Sequence, residues 1–213
     1  MDSDDQQPNR KLKLVDCHRA AVTDRKVEVD QCIAPNCRGT RCMKRTGRSR
    51  YCWLHLQRIR NLRIKKSTLP RAGMGVFIAK QAMPRGATVA EYEGPRLMFD
   101  PRTEDAPGGE YHLQSKRDTI IDGSSSHNIG SYVNDCRAAN RRAGECKGCN
   151  CRFSCNRQTG CVKIVTTKRV APQAELFVPY SRSYWDDKQR LDKMRASLNA
   201  SAASAASAVA SSS

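Results

Sequence analysis

The chain has 213 residues, 38% of them apolar, with a mean hydropathy of -0.68 and a formal net charge of +17. The length sets the expectation of one main domain plus an appendage, and the lack of any apolar run of about 18 residues argues against a membrane-spanning helix. The polar start Met1-Asp2-Ser3-Asp4-Asp5 is not expected to act as a secretory signal. Eleven cysteines, an odd count with several only two or three residues apart, favour metal binding in a reduced compartment over a disulfide scaffold.

In chain order, residues 1–30 have no clean periodicity and are expected to form a flexible lead. Residues 31–70 then hold eleven basic groups and no acidic one. A solvated face mixes signs, so this segment reads as a surface for DNA or another polyanion. Inside it, Cys32, Cys42 and Cys52 are ten apart and His55 follows Cys52 by three. Three thiolates and an imidazole suit a closed tetrahedral zinc site, so Cys32, Cys42, Cys52 and His55 are the expected ligands, with Cys37 an alternative to Cys32. The segment resembles small eukaryotic modules of the form C-x9-C-x9-C-x-x-H. It is expected to span 31–58 and is too short to fold without its metal.

Leu56, Ile59, Leu62 and Ile64 predict a short helix running into a strand. From Ser67 the texture changes to short β-like runs at 75–79, 88–92, 111–114, 119–121, 161–167 and 175–178, punctuated by Gly and Pro. Such a run of strands predicts a compact, mainly β domain rather than alternating βα units. Leu191, Met194 and Leu198 fall at helical spacing and predict a terminal helix over 186–199. Residues 200–213 are Ala/Ser low complexity and read as a disordered tail.

Four stretches carry a family resemblance. Arg71-Ala72-Gly73-Met74-Gly75-Val76-Phe77 offers a G-x-G, where bare backbone lets a ligand approach. Glu91-Tyr92-Glu93-Gly94 ends a strand at a glycine. Asn128-Ile129-Gly130-Ser131-Tyr132-Val133-Asn134-Asp135-Cys136 is followed, after an insert of about a dozen residues, by Asn150-Cys151-Arg152-Phe153. Ala174-Glu175-Leu176-Phe177-Val178-Pro179-Tyr180-Ser181 leads to Tyr184-Trp185. In this order they resemble the G-x-G, Y-x-G, N-H-S-C-x-P-N and E-E-L-x-x-D-Y-G motifs of the SET domain. The chain departs from the pattern at Asp135 for histidine, Pro179 for aspartate and Ser181 for glycine.

The resemblance implies a SET β-fold over 59–185 whose third and fourth stretches thread past one another in a pseudoknot, against the usual rule of unknotted chains. It implies a protein-lysine N-methyltransferase that uses S-adenosylmethionine. Tyr180 is then the catalytic residue. Cofactor contacts are implied for Gly73, Met74, Gly75, Tyr111, Asn134, Asp135, Tyr180 and Trp185, with Asp135 acting largely through its backbone. A lysine channel is implied for Tyr92, Tyr132, Phe177, Val178 and Tyr184, since aromatic faces suit alkylated ammonium groups. Val178, where relatives place a ring that limits methylation, hints at more than one methyl. The family's usual substrates imply a basic protein partner, a histone tail first, hence chromatin and the nucleus, and no membrane partner. Glu91, Glu93, Asp100, Glu104, Asp105 and Glu110 form an acidic half suited to such a peptide. Cys146-x-x-Cys149, completed by Cys155 or Cys161, is a further metal half-site, with plain thiols as its alternative. A non-catalytic SET-fold module that binds chromatin, and a zinc-dependent nucleic-acid binder, are the rival readings.

Overall fold

The computed structural model describes residues 29–70, 72–104, 109, 111–125, 127–136, 148–180, 184, 185 and 197. The expected lead, terminal helix and tail lie outside these residues, apart from Val29, Asp30 and Ser197. So do Arg71, Asp105, Glu110, Cys146 and Ser181 of the sequence motifs.

Asp30 belongs to a strand rather than to a lead. Asp30–Gln31 (β1) pairs antiparallel with Arg45–Thr46 (β2). Helix α1, Trp53–Arg60, follows, with Leu56 as its buried residue and Arg58 and Arg60 in the last turn, where the helix dipole favours positive charge. Asn61 closes it in the left-handed conformation at φ 56° and donates its N–H to Gln57 and Leu56 carbonyls. The Asn61 side chain also accepts from the Lys80 and Gln81 amides, which pins the helix end to the chain beyond the next hairpin.

That hairpin pairs Leu62–Lys66 (β3) with Met74–Ile78 (β4), Leu62 facing Ile78 and Lys66 facing Met74. Thr88–Glu91 (β5), Arg96–Met98 (β6), His112–Lys116 (β7) and Thr119–Asp122 (β8) come next. A 3-10 turn at Ile129–Tyr132 is capped by the Asn128 side chain, which accepts from the Gly130 amide. Cys151–Cys155 (β9) and Val162–Thr166 (β10) complete the set. The strands form two three-stranded antiparallel sheets, ordered β5-β10-β9 and β6-β8-β7, besides the β1-β2 and β3-β4 pairs.

The core gathers Leu56, Leu62, Val76, Ile78, Val89, Val133, Ile164, Leu176 and Val178, from α1, the β3-β4 hairpin, the β5-β10-β9 sheet and the segments at 133 and 176–178. Four of the five residues of β4 are buried, because the strand is covered on both sides, and its unbroken apolar run reflects that. Each fully buried aliphatic chain stabilises the fold by roughly 1.5–3 kcal/mol. Helix α1 crosses the expected boundary at residue 58: Leu56, one residue after His55, sits in the core of the larger unit, and the Arg60 guanidinium donates to the Val89 carbonyl.

The run 175–178 forms no regular strand. It is an extended segment bridged to a different neighbour on each side, Glu175 to Phe77 and Phe177 to Asn134. Leu176 donates to the Val76 carbonyl at 2.8 Å, while the Phe177 carbonyl accepts from Asn150 and Cys151 at 3.1 and 2.9 Å, and Val178 donates to the Asn134 carbonyl at 3.0 Å. The segment therefore passes between β4 and the residues flanking the insert, the crossing the resemblance implies.

Candidate active site and metal centre

The crossing brings Asn134 and Tyr180 into one place. The Tyr180 hydroxyl donates to the Val133 carbonyl at 2.8 Å. Its amide donates to the Asp135 carboxylate at 2.9 Å, and the Trp185 indole N–H donates to the same oxygen at 2.8 Å. Asp135 is 1% exposed. Its side chain, rather than its backbone alone, thus fixes both ends of the closing aromatic segment. Tyr180 meets Tyr184 edge-on with ring centroids 4.8 Å apart and stacks near Trp185 at 6.2 Å. Burial, then the neighbouring Tyr184, Tyr92, Asp135 and Tyr111, push the Tyr180 hydroxyl well above the ordinary tyrosine value. It therefore stays a protonated donor at neutral pH.

Tyr92 joins this group from the end of β5. Its hydroxyl donates to the Tyr111 carbonyl at 2.8 Å, and its ring meets Phe153 edge-on. Tyr92, Tyr111, Tyr184 and Trp185 thus gather about Tyr180. Tyr132 and Val178 are buried in the core, at 8% and 0% exposure, while Phe177 is half-buried and bridged to Asn134.

The G-x-G splits into two different roles. Gly73 adopts φ +70°, and open space surrounds the position a side chain would take, a cradle that suits a ligand against bare backbone. Beside Gly75, an added methyl would land on the Glu175 carboxylate. Glu175, 6% exposed, accepts from the Ser67 hydroxyl at 2.6 Å, from the Thr68 amide at 2.7 Å and hydroxyl at 2.5 Å, and from the Asn134 amide at 3.4 Å. Asn134 also donates to the Met74 carbonyl at 3.0 Å. Glu175 therefore ties the β3-β4 turn, the G-x-G and Asn134 together, a role the sequence signalled only through the glutamate of its fourth motif. Bare backbone at Gly73, next to the Met74 carbonyl that Asn134 holds, leaves room for a small-molecule ligand to approach.

A second constellation lies in the N-terminal segment. The ligand atoms of Cys32, Cys42, Cys52 and His55 all lie within 4.8 Å of one another. The His55 Nδ1 is 3.4 Å from both the Cys32 and Cys52 sulfurs, and the Cys52 amide donates to the Cys32 sulfur at 3.2 Å. Burial raises the thiol values of both. For Cys32 the Cys52 and Ala34 amides and the His55 side chain outweigh it and bring that thiol to about 7, while Cys52 stays raised. Three buried sulfurs and one half-buried imidazole nitrogen form a donor set that fits structural zinc. Cys37 is exposed and stands outside the group, which removes it as an alternative ligand.

Asp135, Cys136 and Cys149 form another close group, with the two sulfurs 3.1 Å apart. Cys155 points elsewhere, donating to the Ser115 carbonyl. Of the acidic half, Glu91 pairs with Lys163 at 3.6 Å and Glu93 lies 3.9 Å from Arg50, so neither carboxylate stands alone.

The fold and these paired sites define a SET-type β-domain carrying a Cys/His cluster before it. A family model for the SET domain matches residues 73–181, just over half of the chain. The chain belongs to the SET domain family, whose members are commonly lysine methyltransferases that use S-adenosylmethionine. No curated protein matches it.

Proposed function

We infer that the chain is an S-adenosylmethionine-dependent protein-lysine N-methyltransferase acting on a basic protein tail, a histone first, in nuclear chromatin. The observation that carries this reading is the crossing, which holds the Tyr180 hydroxyl on the Val133 carbonyl while the next residue, Asn134, bonds to Met74 of the G-x-G. Gly73, Met74, Asn134 and Trp185 would hold the cofactor, which when bound supplies a methyl carbon made electrophilic by its sulfonium. The chain's own part is alignment and exclusion of water. Asp135 holds the Tyr180 backbone, and Tyr180, a donor rather than a base, orients the amine. Tyr92, Tyr111 and Tyr184 wall the approach, and loss of water there, beside the cofactor's positive charge, would lower the lysine pKa and favour the neutral amine. Residues 31–70 would hold DNA or another polyanion while the tail is modified.

The test is incubation with mixed histones and labelled cofactor, followed by mass spectrometry of the modified residue. Methyl transfer to a lysine is expected, and its absence from every basic protein tried would reject the reading. A non-catalytic chromatin-binding module is the second reading, favoured by Pro179 where the family motif has aspartate. It predicts no cofactor binding in a calorimeter.

A further inference from the structure

Each buried cysteine of the N-terminal cluster is followed by an apolar residue turned to solvent. Cys32, Cys42 and Cys52 are at most 5% exposed, whereas Ile33 is 48%, Met43 80% and Trp53 67% exposed. The three sulfurs converge on one point, so the three apolar side chains are carried around one centre. Single exposed apolar residues need no explanation. A repeat at every cysteine, with a tryptophan among them, does.

The surroundings say what would cover them. Arg38, Lys44, Arg48 and Arg58 are exposed and have no carboxylate partner among the described residues. The forty residues around them hold no acidic group. A duplex offers phosphates but hides its base faces, so an exposed indole gains little from it. A single strand offers a flat base and a phosphate at every nucleotide, the pairing that aromatic platforms with surrounding cations exploit. We propose that this module binds single-stranded nucleic acid, with Trp53 stacking on a base and Lys44 and Arg48 on its phosphates. The proposal rests on reading residues 31–70 as a polyanion surface and adds the face used and the strandedness.

The experiment uses the full chain loaded with zinc. Labelled oligo-dT and oligo-U of about 12 nucleotides, a duplex of equal length and heparin are titrated from about 0.05 to 0.2 M salt. Tryptophan emission and anisotropy are read together. Single strands are expected to quench emission. Trp53→Ala, at an exposed helix start that alanine suits, should abolish most of the quench and weaken single-strand binding about tenfold, the size of one base stack. It should leave heparin binding and the salt slope unchanged, and Trp53→Phe should restore most of the affinity. Lys44→Glu with Arg48→Glu should weaken all the ligands. Unchanged single-strand affinity in Trp53→Ala overturns the proposal. So does equal binding of duplex, heparin and single strand without a quench, which leaves the polyanion reading standing. No salt-dependent binding of any of them sinks both. Trp53-dependent capture of an acidic aromatic peptide, without oligonucleotide binding, overturns the proposal in favour of a protein partner.

Discussion

Asp135 accepts two N–H donors, the Tyr180 amide and the Trp185 indole, from the segment that carries the catalytic candidate. Replacing it by alanine leaves two half-buried donors without that acceptor, at about 1–3 kcal/mol for each. Asp135→Ala should lower the melting temperature and slow methyl transfer, whereas Asp135→Asn, which keeps an acceptor oxygen, should lose much less. Equal melting of Asp135→Ala and wild type would remove the positioning role. For Tyr180 the relevant quantity is the rate of a single turnover. Tyr180→Phe should cut it by roughly two orders of magnitude, the usual size for one lost orienting group, with a smaller loss of cofactor affinity. Because burial holds the Tyr180 hydroxyl above its ordinary value, it stays protonated through an assay at pH 7–9 and cannot be the titrating base. The rate should instead rise with pH as the substrate lysine, near 10.4 when free, loses its proton, and desolvation should start that rise earlier. A flat profile in a chemistry-limited turnover would contradict this.

At the level of elements, the zinc module and the SET core are joined through α1. His55 belongs to the Cys/His cluster that fits a metal and Leu56 to the core, while Tyr51 packs against both clusters. Cys52→Ser, or chelation, should therefore do more than loosen residues 32–55: it should also lower the melting temperature of the core by a few degrees. Purified protein without metal, or a core indifferent to chelation, would break this coupling. The same joint explains what the sequence left unread. The grouping of Cys32, Cys42, Cys52 and His55 was legible because four donors of metal-binding type recur at regular spacing within one short stretch of chain. Strands β4, β5, β7, β8 and β10 were legible because their apolar residues cluster between turn residues. β6, Arg96-Leu97-Met98, and β9, Cys151-Arg152-Phe153-Ser154-Cys155, were not, since they owe their form to strands they pair with, β8 and β10. The strand expected at 175–178 became a crossing because its hydrogen bonds go to two unrelated neighbours. The Asp135 side chain and the Glu175 network were invisible because their donors lie tens of residues away.

Across the whole molecule, positive charge is concentrated where the metal module sits: residues 31–70 carry eleven basic groups and no acidic one. Each phosphate neutralised there releases counterions, so polyanion affinity should fall steeply with salt. Reversing Arg41, Lys44, Arg45, Arg48 and Arg50 to glutamate should flatten that slope for every sequence alike. An unchanged slope would exclude the patch. The crossing has a different consequence, in time rather than in space. Residues 174–178 bond to β4 about a hundred residues earlier, and also to Asn134 and Asn150. Contacts of such long range form late, because the intervening loop must first be closed. During synthesis the chain emerges N-terminus first, so the zinc module and the β3-β4 hairpin exist before their last partner has left the ribosome. The slot that receives residues 174–178 stands open until then, and a nascent chain lacking them has neither Tyr180 nor the Glu175 and Val178 bonds to Asn134. The grouping of Asn134 with Tyr180 is thus completed in a single late step.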